Sequence, residues 1–416
     1  MLETLNVFFG QTRVGSLSIN NRRQFSFEYS REWLESPEAF QISISLPMQE
    51  GRFPHDTVKY FFSNLLPESA VRKLISKQLG ISDKNDFMLL KRIGGECAGA
   101  ISILPESELP ESPDQYKYRS LSDVQLADII IQIPRRPLLA GQEGIRISLA
   151  GAQEKLALFH KGPDFYIPTN GAPSNVILKP AMVNFQSSIE NECFCMMLAN
   201  SVDLNVPPVS IVRKESQQVL LIKRYDRKLD NDVLKRIHQE DLCQAMGLSH
   251  ELKYQTDGGP DLTTCFDFVR MHSANPIKDL QQLIEWVFFN FLIGNMDAHA
   301  KNLSFMYQGR HIRLAPFYDM MCTNIYEDLS QKLAMKIGGK NRLEWIMERH
   351  WNRLAGEIKI SKKVLRKRLT DFCLKLINRI DITHSSFISR YHDDSLLKDV
   401  ITNIKKRAGT TLQKFE

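Results

Sequence analysis

A chain of 416 residues is longer than one hydrophobic core ordinarily serves, so two or three packed units are expected. With 43% hydrophobic and 25% charged residues it fits a soluble globular protein, and no apolar run approaches the length that spans a bilayer. The net charge of +6 permits an acidic partner such as nucleotide or nucleic acid without demanding one. Seven cysteines (Cys97, Cys193, Cys195, Cys243, Cys265, Cys322, Cys373) form no Cys-x-x-Cys pair and make an odd count, the pattern of reduced, mostly buried thiols in a cytosolic protein. The opening residues Met1-Leu2-Glu3-Thr4-Leu5-Asn6 lack the basic-then-apolar order of a signal peptide, so a cytoplasmic location with no membrane partner is expected.

Residues 5–9, 15–19 and 24–29 alternate or are rich in β-formers, with Asn20-Asn21 as turn chemistry, and predict short strands. Residues 56–79 carry Val58, Phe61, Phe62 and Leu65 at helical spacing and predict a helical stretch. Gly94-Gly95-Glu96-Cys97-Ala98-Gly99 leads into a strand over 100–104, and the Pro-, Glu- and Ser-rich residues 105–115 are the best candidate linker. A second β-rich unit is expected from about 135 to 225, with strands at 145–148, 156–159, 175–179 and 219–224. One helix, over 188–202, interrupts it; Glu190, Asn191 and Glu192 lie in its first turn, where acidic groups suit the dipole. After Asp226 the pattern becomes helical, most clearly over 281–293, 343–358 and 362–380, and no internal repeat is present. The expected fold class is α+β, a bilobal kinase-like arrangement of a β-rich lobe and an all-helical lobe behind a small α/β N-terminal subdomain. The corresponding spans are 1–108, 109–225 and 226–416.

Transfer of a γ-phosphoryl group needs several parts, and chain order tests for them. The first is a small-residue loop whose amides can face an anion; Ala150-Gly151-Ala152-Gln153-Glu154-Lys155 leads into a strand and offers one, although an ordinary hairpin loop reads the same way. The second is a lysine on a strand, for which Val176-Ile177-Leu178-Lys179-Pro180 supplies Lys179, equally consistent with an edge-strand lysine in solvent. Its expected partner is Glu192, with Glu190 in reserve, although helix capping alone would explain either. Third, Asp297 lies five positions before Asn302, directly after the apolar run Trp286 to Gly294. The Asp of such a pair orients or deprotonates a hydroxyl and the Asn holds a magnesium ion on nucleotide phosphates, while a polar loop between helices would give the same spacing. Fourth, Asp319 ends the strand-like Ile312-Arg313-Leu314-Ala315-Pro316-Phe317-Tyr318 and could hold a second metal contact. The four parts occur in the order a kinase requires. They depart from ordinary protein kinases in three places: His299 stands where a lysine is usual, Met320 follows Asp319, and the loop lacks a three-glycine pattern.

These motifs resemble one family. Ile147-Ser148-Leu149-Ala150-Gly151-Ala152-Gln153-Glu154-Lys155, Gln239-Glu240-Asp241-Leu242-Cys243-Gln244, Lys253-Tyr254-Gln255-Thr256-Asp257-Gly258-Gly259-Pro260, Asp297-Ala298-His299-Ala300-Lys301-Asn302 and Pro316-Phe317-Tyr318-Asp319 are similar to the pattern of the HipA toxins of bacterial type II toxin–antitoxin modules, serine/threonine kinases of unusual fold. Arg13-Val14-Gly15 and Phe61-Phe62-Ser63-Asn64-Leu65-Leu66-Pro67 extend the resemblance to the N-terminal unit, so that it covers nearly the whole chain.

The resemblance implies that Asp297 is the catalytic base and that Asn302 and Asp319 hold magnesium. It places ATP against Ala150, Gly151, Ala152, Gln153, Glu154, Lys155 and Lys179, with Lys223, Arg224 and Tyr225 offering backbone groups to adenine and His299 and Tyr318 completing the site. Ser148 matches the serine that family members autophosphorylate, though a strand-end hydroxyl with a local hydrogen bond is the plain alternative. The implied substrate is an aminoacyl-tRNA synthetase, the glutamyl enzyme first, and the implied partner is a HipB-like helix-turn-helix antitoxin that binds operator DNA. Phosphorylation of a synthetase would stall translation and induce dormancy. No recognition helix stands out, so DNA contact is expected mainly through the antitoxin; Lys336, Lys340 and Arg342 could touch phosphate there, and a solvated basic loop is the simpler reading. Two other readings are a small-molecule phosphotransferase of the aminoglycoside type and a corepressor whose kinase site is silent.

Overall fold

The computed structural model describes residues 3–142, 144–231, 233–392 and 395–415. The chain divides into two compact units that interleave along the sequence. The first comprises Met1–Pro180, Val212–His250 and Phe305–Ile312, and the second Ala181–Ile211, Glu251–Ser304 and Arg313–Glu416.

The first unit is built on two large sheets. Its N-terminal sheet has the order Phe25–Tyr29, Thr12–Ile19, Glu3–Phe9, Ile101–Pro105, with antiparallel pairs throughout. The alternation that predicts these strands is the alternation of burial: Leu5, Val7, Leu17, Phe27 and Ile103 face inward and are buried. Against them pack His55–Ser63 and Asp86–Ile93, with the Phe27 and Phe62 rings 5.6 Å apart. The helical pattern over 56–79 is two helices, His55–Ser63 and Ser69–Leu79. Pro67 falls between them and lacks the N–H a continuous helix would need, while the Asn64 side chain donates to Tyr60 O (2.7 Å) and Leu248 O (2.9 Å) and turns the chain away.

The second sheet of this unit has six strands in the order Lys117–Leu121, Asp164–Thr169, Leu156–Lys161, Val176–Pro180, Gln217–Lys223, Val209–Lys214. The expected strands at 156–159, 175–179 and 219–224 are all in it. Residues 145–148 are not a strand; a single parallel bridge between Glu96 and Ile147 ties them down instead. Residues 227–241, expected to be helical, are the short strands Arg227–Asp230, Val233–Arg236 and Gln239–Asp241, and Ser304–Gln308 and His311–Leu314 follow later. Strands of three to five residues carry too few positions to show a period of two.

This unit also holds a buried charge cluster. Arg224 reaches Asp226 (2.9 and 2.8 Å) and Glu96 (3.2 Å), and Arg227 reaches Glu96 (3.0 Å) and Asp226 (2.9 Å). Burial alone would raise both carboxyls, but the two guanidiniums outweigh it and hold Glu96 and Asp226 below the ordinary carboxylate range. The Ser174 and Gly99 N–H groups also donate into the cluster. Removing one member would strand the others, which makes the cluster a fixed joint rather than a source of net stability.

The second unit is helical: Ser188–Ser201, Leu262–His272, Pro276–Ile293, Glu348–Glu357, Lys362–Tyr391 and Ser395–Phe415. Phe288 is its centre, with Trp351 at 5.6 Å and Phe372 at 5.9 Å. The expected helix over 343–358 is shorter, because Leu343–Trp345 is a separate 3-10 turn, and the one over 362–380 runs on to Tyr391. All seven cysteines are buried and none is in a disulfide. Among the described residues, no helix is long and apolar enough to cross a membrane.

Buried Glu240 in the first unit generates a prediction. It accepts from Ser43 Oγ (2.5 Å), Ile44 N–H (3.0 Å) and the Tyr307 hydroxyl, yet burial outweighs these bonds and lifts it to about 7. The folded chain therefore keeps a proton that the unfolded carboxyl has already released, so stability falls as pH rises from about 5 to about 7. The urea midpoint of the native chain should drop across that window more steeply than that of Glu240→Gln; parallel profiles would contradict the assignment.

Candidate active site

The helix Pro276–Ile293 delivers the central loop of the second unit. Asn275 caps its start by accepting the Lys278 N–H (3.3 Å), and the apolar run from Trp286 to Ile293 is buried. The helix ends at Gly294, whose φ of 76° turns the chain sharply; a Cβ there would fall 2.2 Å from Asn324 Oδ1. Beyond it the loop is cross-braced. Asn295 donates to Asn290 Oδ1 (2.8 Å) and accepts the Asp297 N–H (3.0 Å), and the Met296 N–H donates to Thr323 Oγ1 (2.6 Å). From Phe291 to Ser304 only Asp297 is exposed. A lone exposed carboxylate on an otherwise buried, cross-braced loop is positioned to act on something outside the protein.

Tyr254 holds that carboxylate, its hydroxyl donating to Asp297 Oδ1 at 2.5 Å. The same ring meets the His299 imidazole edge-on at 5.1 Å. His299 begins the 3-10 turn Ala300–Asn302, and its N–H donates to Asn302 Oδ1 at 3.0 Å. The Asn302 amide nitrogen is thereby aimed at Asp319, 3.4 Å from Oδ2. Asp319 sits at φ 60°, a left-handed conformation that a non-glycine residue adopts only when its surroundings impose it. They do so here on both sides. Upstream, Phe317 N–H donates to Asn205 O (2.7 Å), its ring stacks on Trp286 (5.8 Å), and the Tyr318 hydroxyl donates to Lys301 O (2.5 Å) beside Ser304 Oγ (2.9 Å). Downstream, Cys322 and Asn191 exchange two hydrogen bonds (2.9 and 3.0 Å). Farther back, Asp279 binds Arg313, Ser273 Oγ (2.6 Å) and Leu314 N–H (2.9 Å), fixing the strand that leads to Asp319.

Asp297, His299, Asn302, Tyr318 and Asp319 are thus brought together in the second unit. Asn302 and Asp319 offer a carboxamide and a carboxylate, hard oxygen donors that suit magnesium, an ion that commonly takes one or two protein ligands and completes its shell with phosphates and water. Ligation by Asn302 requires its amide to turn, since Oδ1 now faces the His299 N–H. Glu192 also belongs to this unit, buried in the helix Ser188–Ser201.

The remaining predicted residues belong to the first unit. Lys179 is buried on the strand Val176–Pro180, opposite Leu220. In the loop from Ala150 to Lys155, the Lys155 ammonium donates to Ala150 O (2.7 Å), Gly151 has φ 110°, and its carbonyl accepts the Glu68 N–H (3.1 Å); Ala152 is exposed, with Gln153 and Glu154 half-buried. Ser148 is fully buried, its hydroxyl donating to Leu65 O at 2.8 Å and its N–H to Glu96 O at 2.8 Å, so its bond is long-range rather than local. Of the segment proposed for adenine, Lys223 is exposed at a strand end, and the Tyr225 hydroxyl bonds Gln239. The Arg224 N–H is committed to Asn175 O (2.9 Å) and its side chain to the buried charge cluster.

Tyr254 escaped the sequence reading as a site residue although its motif was noted. It lies 43 residues before Asp297, and no local spacing reveals such a contact. Thr323 and Asn191 escaped for the same reason, their partners Met296 and Cys322 lying 27 and 131 residues away.

The Gly294 turn can be tested by stability. Gly294→Ala should cost about 2–3 kcal/mol, because it adds a clash to a positive φ. Gly309→Ala, at φ 61° with nothing within 4 Å of the added carbon, should cost only about 1 kcal/mol. Equal denaturant midpoints for the two variants would show that Asn324 does not hold the turn.

Known proteins resemble this chain in sequence and fold. The chain matches the family described as HipA N-terminal domain over residues 5–104 and that described as HipA-like C-terminal domain over residues 147–380. The Sinorhizobium fredii protein Y4mE is 39% identical over 375 residues, covering 89% of each chain. The serine/threonine-protein kinase toxin HipA of Shewanella oneidensis is 32% identical over 349 residues, covering 80% of this chain and 78% of that one. A solved chain from the Shewanella oneidensis MR-1 complex of HipA, HipB and operator DNA superposes with a TM-score of 0.85 at 27% identity, covering 99% of this chain and 98% of that one.

Proposed function

The chain belongs to the HipA family, and we propose that it is an ATP-dependent serine/threonine protein kinase acting as the toxin of a type II toxin–antitoxin module. One observation carries the reading: Asp297 is the lone exposed residue of a buried loop whose Asn302 lies 3.4 Å from Asp319. In this reading Asp297 accepts the proton of a substrate serine or threonine as its oxygen attacks the γ-phosphorus, and ADP leaves. Tyr254 keeps the carboxylate aimed while it waits for the hydroxyl. Magnesium held by Asn302 and Asp319 would supply charge neutralisation on the phosphates. In the first unit, Lys179, Lys223 to Tyr225 and the loop from Ala150 to Lys155 are the groups proposed to serve the nucleotide, Lys223 and Tyr225 through their backbone.

The substrate proposed is an aminoacyl-tRNA synthetase, the glutamyl enzyme first, whose phosphorylation would arrest translation in the cytoplasm. The regulatory partner proposed is a HipB-like helix-turn-helix antitoxin, through which operator DNA is bound; the Shewanella HipA complex with HipB and operator DNA supports this part. Autophosphorylation at Ser148 is part of the same reading and carries a structural requirement. The hydroxyl is buried against the Leu65 carbonyl, so residues 147–151 must leave Glu96 and Leu65 before the oxygen can react. A phosphate dianion could not return to that carbonyl, and the modified loop would stay displaced.

Incubating the full chain with labelled ATP, magnesium and a panel of synthetases tests the reading. Asp297→Gln should lower transfer by about a thousandfold or more while leaving nucleotide affinity within about threefold. Tyr254→Phe keeps the ring against His299 but removes the bond to the carboxylate, and should lower kcat about tenfold at unchanged KM for ATP. Full activity in Asp297→Gln would reject the site, and wild-type silence toward every synthetase would favour a corepressor.

A further inference from the structure

The second unit carries a basic hairpin joined directly to the catalytic loop. The Ala334 N–H donates to Met296 O at 3.0 Å, one residue before Asp297, and Ala334 O accepts from Gln255 N–H (3.3 Å), next to the tyrosine that holds Asp297. From that anchor the chain forms a closed turn: Leu333 N–H donates to Asn341 O (2.7 Å), Ile337 N–H to Lys340 O (2.7 Å) and Lys340 N–H to Ile337 O (3.1 Å). The Lys336 N–H is fixed by Gln255 Oε1 (2.7 Å), and Met335 is buried with its sulfur 3.9 Å from Cys265. The backbone is therefore rigid, with Leu333, Ala334, Met335 and Ile337 buried beneath it. Lys336 and Lys340 are exposed, and residues 332–353 hold six Lys or Arg against two Glu.

Trp345 organises these charges. It is 51% exposed, unusual for so large an apolar ring, and cations lie over it: Lys340 Nζ at 5.7 Å and the Arg342 guanidinium at 5.2 Å from the centroid. The counter-charge nearest Arg342 is Glu344 at 3.8 Å, a long contact between partly exposed groups that leaves most of the guanidinium's donors to others. An indole already covered by cations is poorly placed to stack on bases, which is how single-stranded nucleic acid is gripped. It instead holds two cations in a fixed spacing, the arrangement that pairs with carboxylates.

We propose that this hairpin, with Arg342 and Trp345, docks an acidic segment of the protein substrate beside Asp297. The proposal rests on the protein-kinase reading above and adds a substrate class to it. Three residues of extended chain, about 10 Å, separate Ala334 from the hairpin end, so the acidic side chains belong about three residues from the hydroxyl that is phosphorylated.

Fluorescence anisotropy tests docking without relying on transfer. The probes are short labelled peptides with one central serine, flanked by glutamates in one and by lysines in the other, and a single-stranded RNA of matched length. The glutamate peptide should bind the full chain, and the double variant Lys336→Glu/Lys340→Glu should weaken it about tenfold or more. The lysine peptide should bind no better than background to the native chain. Unchanged affinity in the variant, no binding of the glutamate peptide to the native chain, or tighter binding of the RNA with the same sensitivity to the variant would each overturn the proposal. Thermal melting of the variant should match the native chain, since both lysines are exposed. In transfer assays the variant should raise KM for the glutamate peptide about tenfold at unchanged kcat. Absence of Asp297-dependent transfer with docking intact would reject the kinase reading alone.

Discussion

Everything at the candidate site depends on Asp319 being held at φ 60° within 3.4 Å of Asn302. An aspartate in that conformation costs free energy, so the surrounding bonds must over-determine it. Phe317 against Trp286, Tyr318 on Lys301 O and the Asn191–Cys322 exchange supply that determination from three different helices and turns. The consequence is a fixed pair of oxygen-bearing side chains at the edge of a packed helical core. Electrostatic catalysis works through such preorganisation, because groups already in place need not be reoriented as charge develops.

Asp297 is a complementary case. Its loop is buried and braced by Asn295, Thr323 and the Gly294 turn, yet the carboxylate itself faces outward. The contrast between a rigid frame and one exposed carboxylate separates this loop from a generic helix connection. Rigid placement also explains why a basic hairpin bonded to Met296 can act in recognition, since it inherits the position of the same frame.

The candidate site residues stood out in the sequence more clearly than the architecture around them. Asp297, Asn302 and Asp319 stand out because phosphoryl transfer would impose an order and a spacing, and the structure brings Asn302 and Asp319 within 3.4 Å; the packed run Trp286 to Ile293 shows helical burial in its composition. The strands of the N-terminal sheet were visible in their alternation, though not the order in which they pair. What was hidden depends on distant contacts or on short elements. Residues 145–148 look like a strand but find only one bridge, to Glu96, because the chain there is a loop pinned by Ser148 and Leu65. The helix Asp123–Gln132 went unread even though Ser122 and Gln125 form a full capping box at its start. Tyr254 and Asn191 could not be assigned at all, since their partners lie tens of residues away.

The account's central claim is that Asn302, Asp319 and Asp297 form one phosphoryl-transfer centre. The most direct measurement is a crystal structure of the full chain with manganese and a non-hydrolysable ATP analogue, read by anomalous scattering. The account predicts manganese bound by an Asp319 carboxylate oxygen and by Asn302 Oδ1 after its amide has turned, with the terminal phosphate facing Asp297. Manganese bound elsewhere, or a terminal phosphate turned away from Asp297, would contradict it.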